Sequence, residues 1–319
     1  MWKMSSNIKP DKTLSSKRFL RRFQIEPVVF TILNYSFLVL LCALMLYPML
    51  NTLAVSFNDA LDAIRGGIRI WPREFTTHNY RVVFNMHTIY TAFFNSFNRT
   101  WISVILNLAF TSMLAFALSR QEFIFRKVIT VIFVLTMYFD PGLIPGFLLI
   151  QSLGLLNSFH VYWVPGLISA FNLIIMRTYI KGIPESLIES ARLDGAGDFR
   201  IYLQIILPLC KPVLATIALF VAVGSWNAWF DNFLFNSASP HLNVLQFELQ
   251  RLLSSAMATG AAAGNQATQQ AQATAGLSVV TPQVLRATIT IVTAIPILVV
   301  YPFLQRYFVA GVKLGGVKE

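Results

Sequence analysis

The 319-residue sequence contains few charged side chains. Asp, Glu, Lys and Arg make up 12% of the chain, while 55% of its residues are hydrophobic. Soluble domains carry about 25% charged residues. A large soluble protein with an oversized core is the alternative, but the long uncharged runs match the roughly 20 apolar residues that one membrane-spanning helix needs. The composition therefore indicates an integral membrane protein.

The sequence also lacks the patterns of an enzyme site. It has no G-x-x-x-x-G-K-[ST] phosphate loop, its four histidines are scattered without metal-ligand spacing, and no Ser/His/Asp set is distinguishable. Cys42 falls inside the first predicted span and Cys210 at the foot of the fifth, so no structural disulfide is expected. We expect no catalytic residue, no metal site and no cofactor in this chain.

Uncharged windows predict six membrane-spanning helices. Runs of this length and continuity favour helices, because lipid admits only helices or closed barrels. The predicted fold class is therefore an all-α integral membrane protein. The predicted spans are about 28–52, 99–119, 128–152, 161–181, 212–236 and 284–305.

The distribution of basic residues predicts how the chain is oriented. With six spans, one side of the membrane carries 18 of the 25 Lys and Arg residues, and the other side carries the remaining 7. The positive-inside rule places the richer side, with both termini, in the cytoplasm. This asymmetry argues against nucleic-acid binding as the reason for the net charge of +11.

These spans divide the chain into a six-helix domain at 28–305, a basic N-terminal segment at 1–27 and a C-terminal tail at 306–319, both cytoplasmic. Residues 53–98 and 237–283 are predicted external loops, and residues 182–211 a cytoplasmic loop. The external insert at 255–278 is rich in Ala, Gln, Thr and Gly without charge, which predicts a flexible or weakly helical segment.

The 182–211 loop has the pattern of two short helices joined by a turn. Pro184 suits a first helical turn, and Gly195 and Gly197 suit the turn that follows. Asp198 is expected to cap the second helix. The first helix carries an apolar strip of Leu187, Ile188 and Ala191, and the second carries Phe199, Tyr202, Leu203 and Ile206. A loop resting on lipid headgroups is one explanation of this pattern, and a docking element is the other.

The spacing in this loop resembles a family signature. Glu189-Ser190-Ala191, then Gly195, then Ile205-x-Leu207-Pro208 is similar to the E-A-A---G---------I-x-L-P motif, with Ser190 in place of the first Ala. That motif marks the permease subunits of binding-protein-dependent ABC importers of the maltose and multiple-sugar type. Further stretches between residues 28 and 319 resemble the same family, including "GSWNAWFDNFLF" and the last helix with its tail.

The resemblance implies a type I ABC importer architecture in the bacterial inner membrane. In that family the loop forms a coupling helix that enters a cleft on a cytoplasmic ATPase, where Glu189 would pair with a basic residue. The implied protein partners are a second permease, two ATPase subunits that bind ATP and Mg, and an external solute-binding protein. The other implied partners are membrane lipid and a carbohydrate substrate, for example an oligosaccharide or a polysaccharide such as alginate. The candidate coupling residues are Glu185, Glu189, Ser190, Ala191, Asp194, Gly195, Ile205, Leu207 and Pro208.

Four residues are candidates for a translocation path. Asp140 lies in "FDPGLIPG" within the third span, and an acid at membrane depth indicates function by default, although a hydrogen bond to a neighbouring helix explains it equally well. Trp226, Asn227 and Asp231 lie in "GSWNAWFDN", where an aromatic face with polar neighbours suits a sugar ring. An aromatic belt at the membrane surface is the alternative for the tryptophans.

Two other functions compete with an ABC permease: a secondary transporter or ion channel that works alone, and a membrane assembly protein that transports nothing. The 189–208 signature favours the permease.

Overall fold

The regular elements in the described part of the chain are helical. The computed structural model describes residues 25–139, 141–262 and 281–316, and in these ranges the β-type pairing is limited to an isolated bridge between Asn58 and Phe75. This confirms the predicted all-α class. The α-helices are α1 (Ile25–Ser56), α2 (Ala60–Ile64), α3 (His78–Asn85), α4 (His87–Ser119), α5 (Arg126–Thr136), α6 (Leu143–Ser152), α7 (Ala170–Lys181), α8 (Glu185–Leu193), α9 (Asp198–Ile201), α10 (Leu207–Leu209), α11 (Lys211–Asn227), α12 (Phe230–Phe235), α13 (Leu245–Ala262) and α14 (Pro282–Gly316).

Some predicted features lie outside the described residues. These are the basic N-terminal segment up to residue 24, Asp140, and the insert from residue 263 onward. The part of the insert before residue 263 continues the backbone of α13. Contacts divide the chain into two compact units, of which the first ends at Asn51 and the second begins at Thr52.

Three helices of the described residues are long and apolar enough to cross a membrane. They are Val29–Ser56 within α1, the whole of α4, and Pro282–Val300 within α14. A fourth crossing arises if Asp198–Leu209 and Lys211–Asn227, bent by 79°, act as one span. The count of six membrane crossings therefore stays a prediction.

The other three predicted spans are interrupted, which differs from the continuous helices expected. Segment 128–152 breaks between α5 and α6, where Pro141 lacks an amide proton and Gly142 has a φ of +81°. Segment 161–181 is irregular before α7, and segment 212–236 breaks where Ala228 is extended between α11 and α12. Such breaks release backbone groups that lipid cannot satisfy, so other side chains must bind them.

Helix α4 supplies two of these partners. The Nδ2 atom of Asn107 donates to the carbonyl of Gly166 at 2.9 Å, in the irregular segment before α7. The guanidinium of Arg99 donates to the carbonyl of Ala228 at 3.0 Å, at the break after α11. Both side chains are buried, and α4 packs along α7 and α11. Two of the three broken segments are therefore fastened to one long helix.

The largest apolar core lies where α4, α7, the 182–211 loop and α11 meet. Phe116 and Leu118 at the end of α4 contribute to it, with Met176 and Ile180 from α7 and Ile217 from α11. The loop is thus part of the folded core of the helical domain.

Replacing Asn107 with Leu should lower the stability of the helical domain. Leu keeps the volume but leaves the Gly166 carbonyl without its donor, and the loss of this hydrogen bond costs about 0.5–1.5 kcal/mol. The measurement is the thermal unfolding midpoint of the purified protein in detergent. Phe110→Leu, on an exposed position of the same helix, is the control and should unfold as the wild type does. Equal midpoints for Asn107→Leu and wild type would contradict this assignment.

Candidate functional site

The 182–211 loop folds as two short helices joined by a turn, as predicted. Pro184 immediately precedes α8, and Gly197 immediately precedes α9. Between them Gly195 has a φ of +78°, a conformation that glycine adopts at little cost. A Cβ atom at Gly195 would have no heavy atom within 4 Å apart from its chain neighbours. In this chain the preference for glycine is therefore set by the backbone angle and not by crowding.

One side of the helical pair is buried in the domain core. Ile188 is 1% exposed, Ile201 and Ile206 are fully buried, and Ala191 packs beside them. The hydroxyls of Tyr202 and Ser112 are 2.7 Å apart, which joins this side of the loop to α4.

Three residues of the predicted apolar strips lie on the other side. Leu187, Phe199 and Leu203 are exposed, because each helix turns its neighbouring residues into the core instead. The loop therefore presents apolar surface outward as well as inward.

A π-helical turn prepares the chain for Pro208. Over Tyr202–Ile206 the helix widens, and the amide of Leu207 donates to the carbonyl of Tyr202, five residues back. Proline offers no amide and its ring crowds the preceding turn, so a wider turn before it relieves both problems. Ile205 and Leu207 pack against the core, whereas Pro208 is exposed.

Ion pairs tie the loop to the segment between α4 and α5. Arg192 bonds to Glu122 through Nη1 and to Asp198 through Nη2, the latter at 3.2 Å. Arg120 lies 3.8 Å from Glu185. The hydrogen bond from Arg192 lowers the pKa of Glu122. The predicted capping role of Asp198 is wrong, because α9 begins at Asp198 and no side chain caps it.

Two acids of the loop have no such partner. Glu189 and Asp194 are exposed, and within the described residues neither carboxylate takes part in an ion pair or side-chain hydrogen bond. Ser190, beside Glu189, is also exposed. The exposed side of the loop thus presents two negative charges that the chain itself does not neutralise.

A second polar cluster surrounds Arg99 in the first half of α4. Its side chain is 4% exposed and bonds to both carboxylate oxygens of Asp231, which is 24% exposed. The guanidinium also lies 4.7 Å from the centre of the Tyr162 ring. Asp231, a predicted path residue, is therefore one half of a partly buried ion pair in this chain.

The other two described path candidates lie on the same part of α11. Trp226 is buried, its Nε1 atom donates to the carbonyl of Thr293 at 3.0 Å, and its ring packs edge-on to Phe93. Asn227 is exposed and accepts a hydrogen bond from Gln246 at 3.1 Å. The structure brings Asp231 and Asn227 to one end of the domain and seats Trp226 among packed helices.

Sequence reasoning missed Arg99 by counting it among external charges. The available signal was a four-residue spacing of polar residues along α4, which places them on one face. Each is buried in the structure. These residues are Arg99, Ser103, Asn107 and Thr111.

The long apolar helices are held together by buried polar contacts, and the charged 182–211 loop is part of their core. These features define an all-helical membrane protein. Residues 89–314 match the family described as binding-protein-dependent transport system inner membrane component. The chain belongs to this family, which confirms the family predicted from the 189–208 signature and its place in the inner membrane.

Individual relatives are similar over nearly the whole chain. The polygalacturonan/rhamnogalacturonan transport system permease protein YtcP of Bacillus subtilis is 34% identical over 91% of this chain and 98% of its own length. The arabinooligosaccharides transport system permease protein AraQ of Halalkalibacterium halodurans is 30% identical over 85% of this chain and 91% of its own. One chain in the crystal structure of a bacterial ABC transporter involved in the import of the acidic polysaccharide alginate matches with a TM-score of 0.80 and 28% identity, covering 90% of this chain and 99% of that one.

Removing one partner of the Arg99–Asp231 pair should destabilise the domain more than removing both. Asp231→Ala leaves a buried guanidinium without its counter-charge, at a cost of about 3 kcal/mol or more. Arg99→Met combined with Asp231→Leu removes both charges and should recover much of that loss. Thermal unfolding of the purified variants measures both effects. An Asp231→Ala variant as stable as wild type would show that the pair does not stabilise the fold.

Proposed function

We propose that this chain is one of two different permease subunits of an ATP-driven importer for a carbohydrate. An external solute-binding protein delivers the sugar, and two separate cytoplasmic ATPase subunits bind ATP and Mg. The family membership supports a binding-protein-dependent system, and it favours this function over a transporter or channel that works alone.

The carbohydrate substrate is supported by the relatives. The matching proteins carry names that refer to polygalacturonan/rhamnogalacturonan and to arabinooligosaccharides, and the structural match belongs to a transporter involved in alginate import. We therefore assign an oligosaccharide or polysaccharide to this chain. The proposed path residues are Asp140, Trp226, Asn227 and Asp231.

The coupling role is supported mainly by the two kinds of charge in the 182–211 loop. Glu185 and Asp198 are paired with arginines of the chain, and Arg192, the partner of Asp198, also bonds to Glu122, which joins the loop to the segment between α4 and α5. Glu189 and Asp194 are exposed and unpaired in the described residues. An acid left unpaired on a rigid, partly apolar surface suits a basic residue of another subunit, since complementary charge gives specificity at an interface.

The burial of the loop supplies a route for motion. When the ATPase pair closes on ATP, it would displace α8 and α9. Ile188 and Ile201 are packed in one core with α4, α7 and α11, and a close-packed core transmits displacement instead of absorbing it. The displacement would therefore reach the helices that line the path.

Glu189→Lys should uncouple the transporter without unfolding the permease. The new charge would face the basic residue of the ATPase, so we expect ATPase co-purification to weaken at least about tenfold. Uptake and substrate-stimulated ATP hydrolysis in reconstituted complexes should fall with it. Glu74→Lys makes the same charge change on an exposed residue of the predicted external side and should have no effect. Normal stimulated hydrolysis in Glu189→Lys would remove the coupling role.

Gly195→Val should impair coupling through backbone strain. A β-branched residue at a φ of +78° costs about 1–2 kcal/mol or more, which would distort the turn between α8 and α9. Gly197→Val is the matched control, because Gly197 has a φ of −72° and open space around its Cβ position. The measurement is stimulated ATP hydrolysis at equal amounts of complex. Equal activity in the two variants would refute the requirement for glycine at this turn.

A further inference from the structure

A cavity of about 410 Å³ opens beside the start of α8. It lies where α4 ends, α5 begins and α7 ends, on the side of the protein that the positive-inside rule places in the cytoplasm. Its lining contains five basic side chains and one acidic one. These are Arg120, Arg126, Lys127, Arg177, Lys181 and Glu185.

Most of this positive charge is uncompensated. Glu185 lies 3.8 Å from Arg120. No carboxylate of the described residues lies within 4 Å of the other four basic groups. Two of the cations, Arg126 and Lys127, are the first two residues of α5, so the partial positive charge of that helix N-terminus adds to theirs. A concave site of this charge suits a phosphate group, which offers several oxygens to Lys and Arg.

Helix α5 continues from the cavity as an exposed apolar surface. Val128, Val131, Ile132 and Leu135 are all exposed, and their spacing places them on one face of the helix. From Arg126 to Thr136 the helix rises about 15 Å, which is half of a hydrocarbon core of about 30 Å. A cationic cavity followed by an apolar surface as long as one leaflet is thick matches a phospholipid. Its headgroup would lie at the arginines and lysines, and an acyl chain would lie along α5.

We propose that this cavity binds the phosphate of an anionic phospholipid from the inner leaflet. Basic pockets at the cytoplasmic ends of membrane helices are suited to such headgroups. The phosphate would lie against Arg120, the partner of Glu185 at the start of α8. An occupied cavity would therefore compete with Glu185 for Arg120 and change how the start of the 182–211 loop is held.

The test compares lipid binding in the intact purified complex reconstituted into nanodiscs. The variant is Lys127→Gln combined with Lys181→Gln. The control is Arg200→Gln combined with Lys211→Gln, which removes two exposed cations of the same loop region from outside the cavity. The probes are a fluorescent phosphatidylglycerol, a fluorescent phosphatidylcholine and inorganic phosphate. Thermal unfolding confirms that both variants are folded, and none of these readouts depends on transport.

We expect wild type and control to prefer phosphatidylglycerol, and the cavity variant to bind it about 30-fold more weakly. Equal phosphatidylglycerol binding in all three proteins would overturn the proposal. A second outcome would also overturn the lipid assignment. If millimolar inorganic phosphate binds the cavity while phosphatidylglycerol binds no better than phosphatidylcholine, the ligand is free phosphate. Loss of the ATPase from the cavity variant, with lipid binding unchanged, would identify a protein contact and overturn it as well.

Discussion

The backbone groups released by broken helices are the constraint on which this structure depends. Water satisfies such groups in a soluble protein, but a bilayer offers no substitute. Here the partners come from α4, whose Asn107 binds the Gly166 carbonyl and whose Arg99 binds the Ala228 carbonyl. Burial of apolar surface gives little net attraction between helices in lipid, so these directed contacts determine which helices pack against α4.

The same helix connects the two candidate sites. Arg99 holds Asp231 in the first half of α4, and Ser112 holds Tyr202 of the 182–211 loop about 20 Å further along. A rigid helix of this length moves as a body, so a shift at Tyr202 need not be relayed through flexible side chains. This arrangement gives the coupling proposal a physical route that sequence spacing alone does not provide.

The sequence predicted the features that depend on neighbouring residues. The turn at Gly195 and the helix that begins after Pro184 were both readable, because glycine and proline act on the local backbone. The contacts of Arg192 were not readable, since Glu122 lies 70 positions away and only the fold brings them together. The breaks within the predicted spans were missed for a similar reason. Hydropathy is averaged over a window of residues, so it does not show whether a distant helix such as α4 supplies a donor to a carbonyl that a break leaves unbonded.

Some charged side chains of this protein are neutralised within the chain, and others are left without a counter-charge. Arg99 with Asp231 and Arg192 with Glu122 and Asp198 neutralise one another within the chain, and the Arg99–Asp231 and Arg192–Glu122 pairs join segments distant in sequence. Glu189 and Asp194 leave a negative surface, and the cavity beside Arg120 leaves a positive one. Because surplus charges of opposite sign lie next to one short helix, α8, a basic protein surface and an anionic headgroup would act on the same element, one at Glu189 and the other through Glu185.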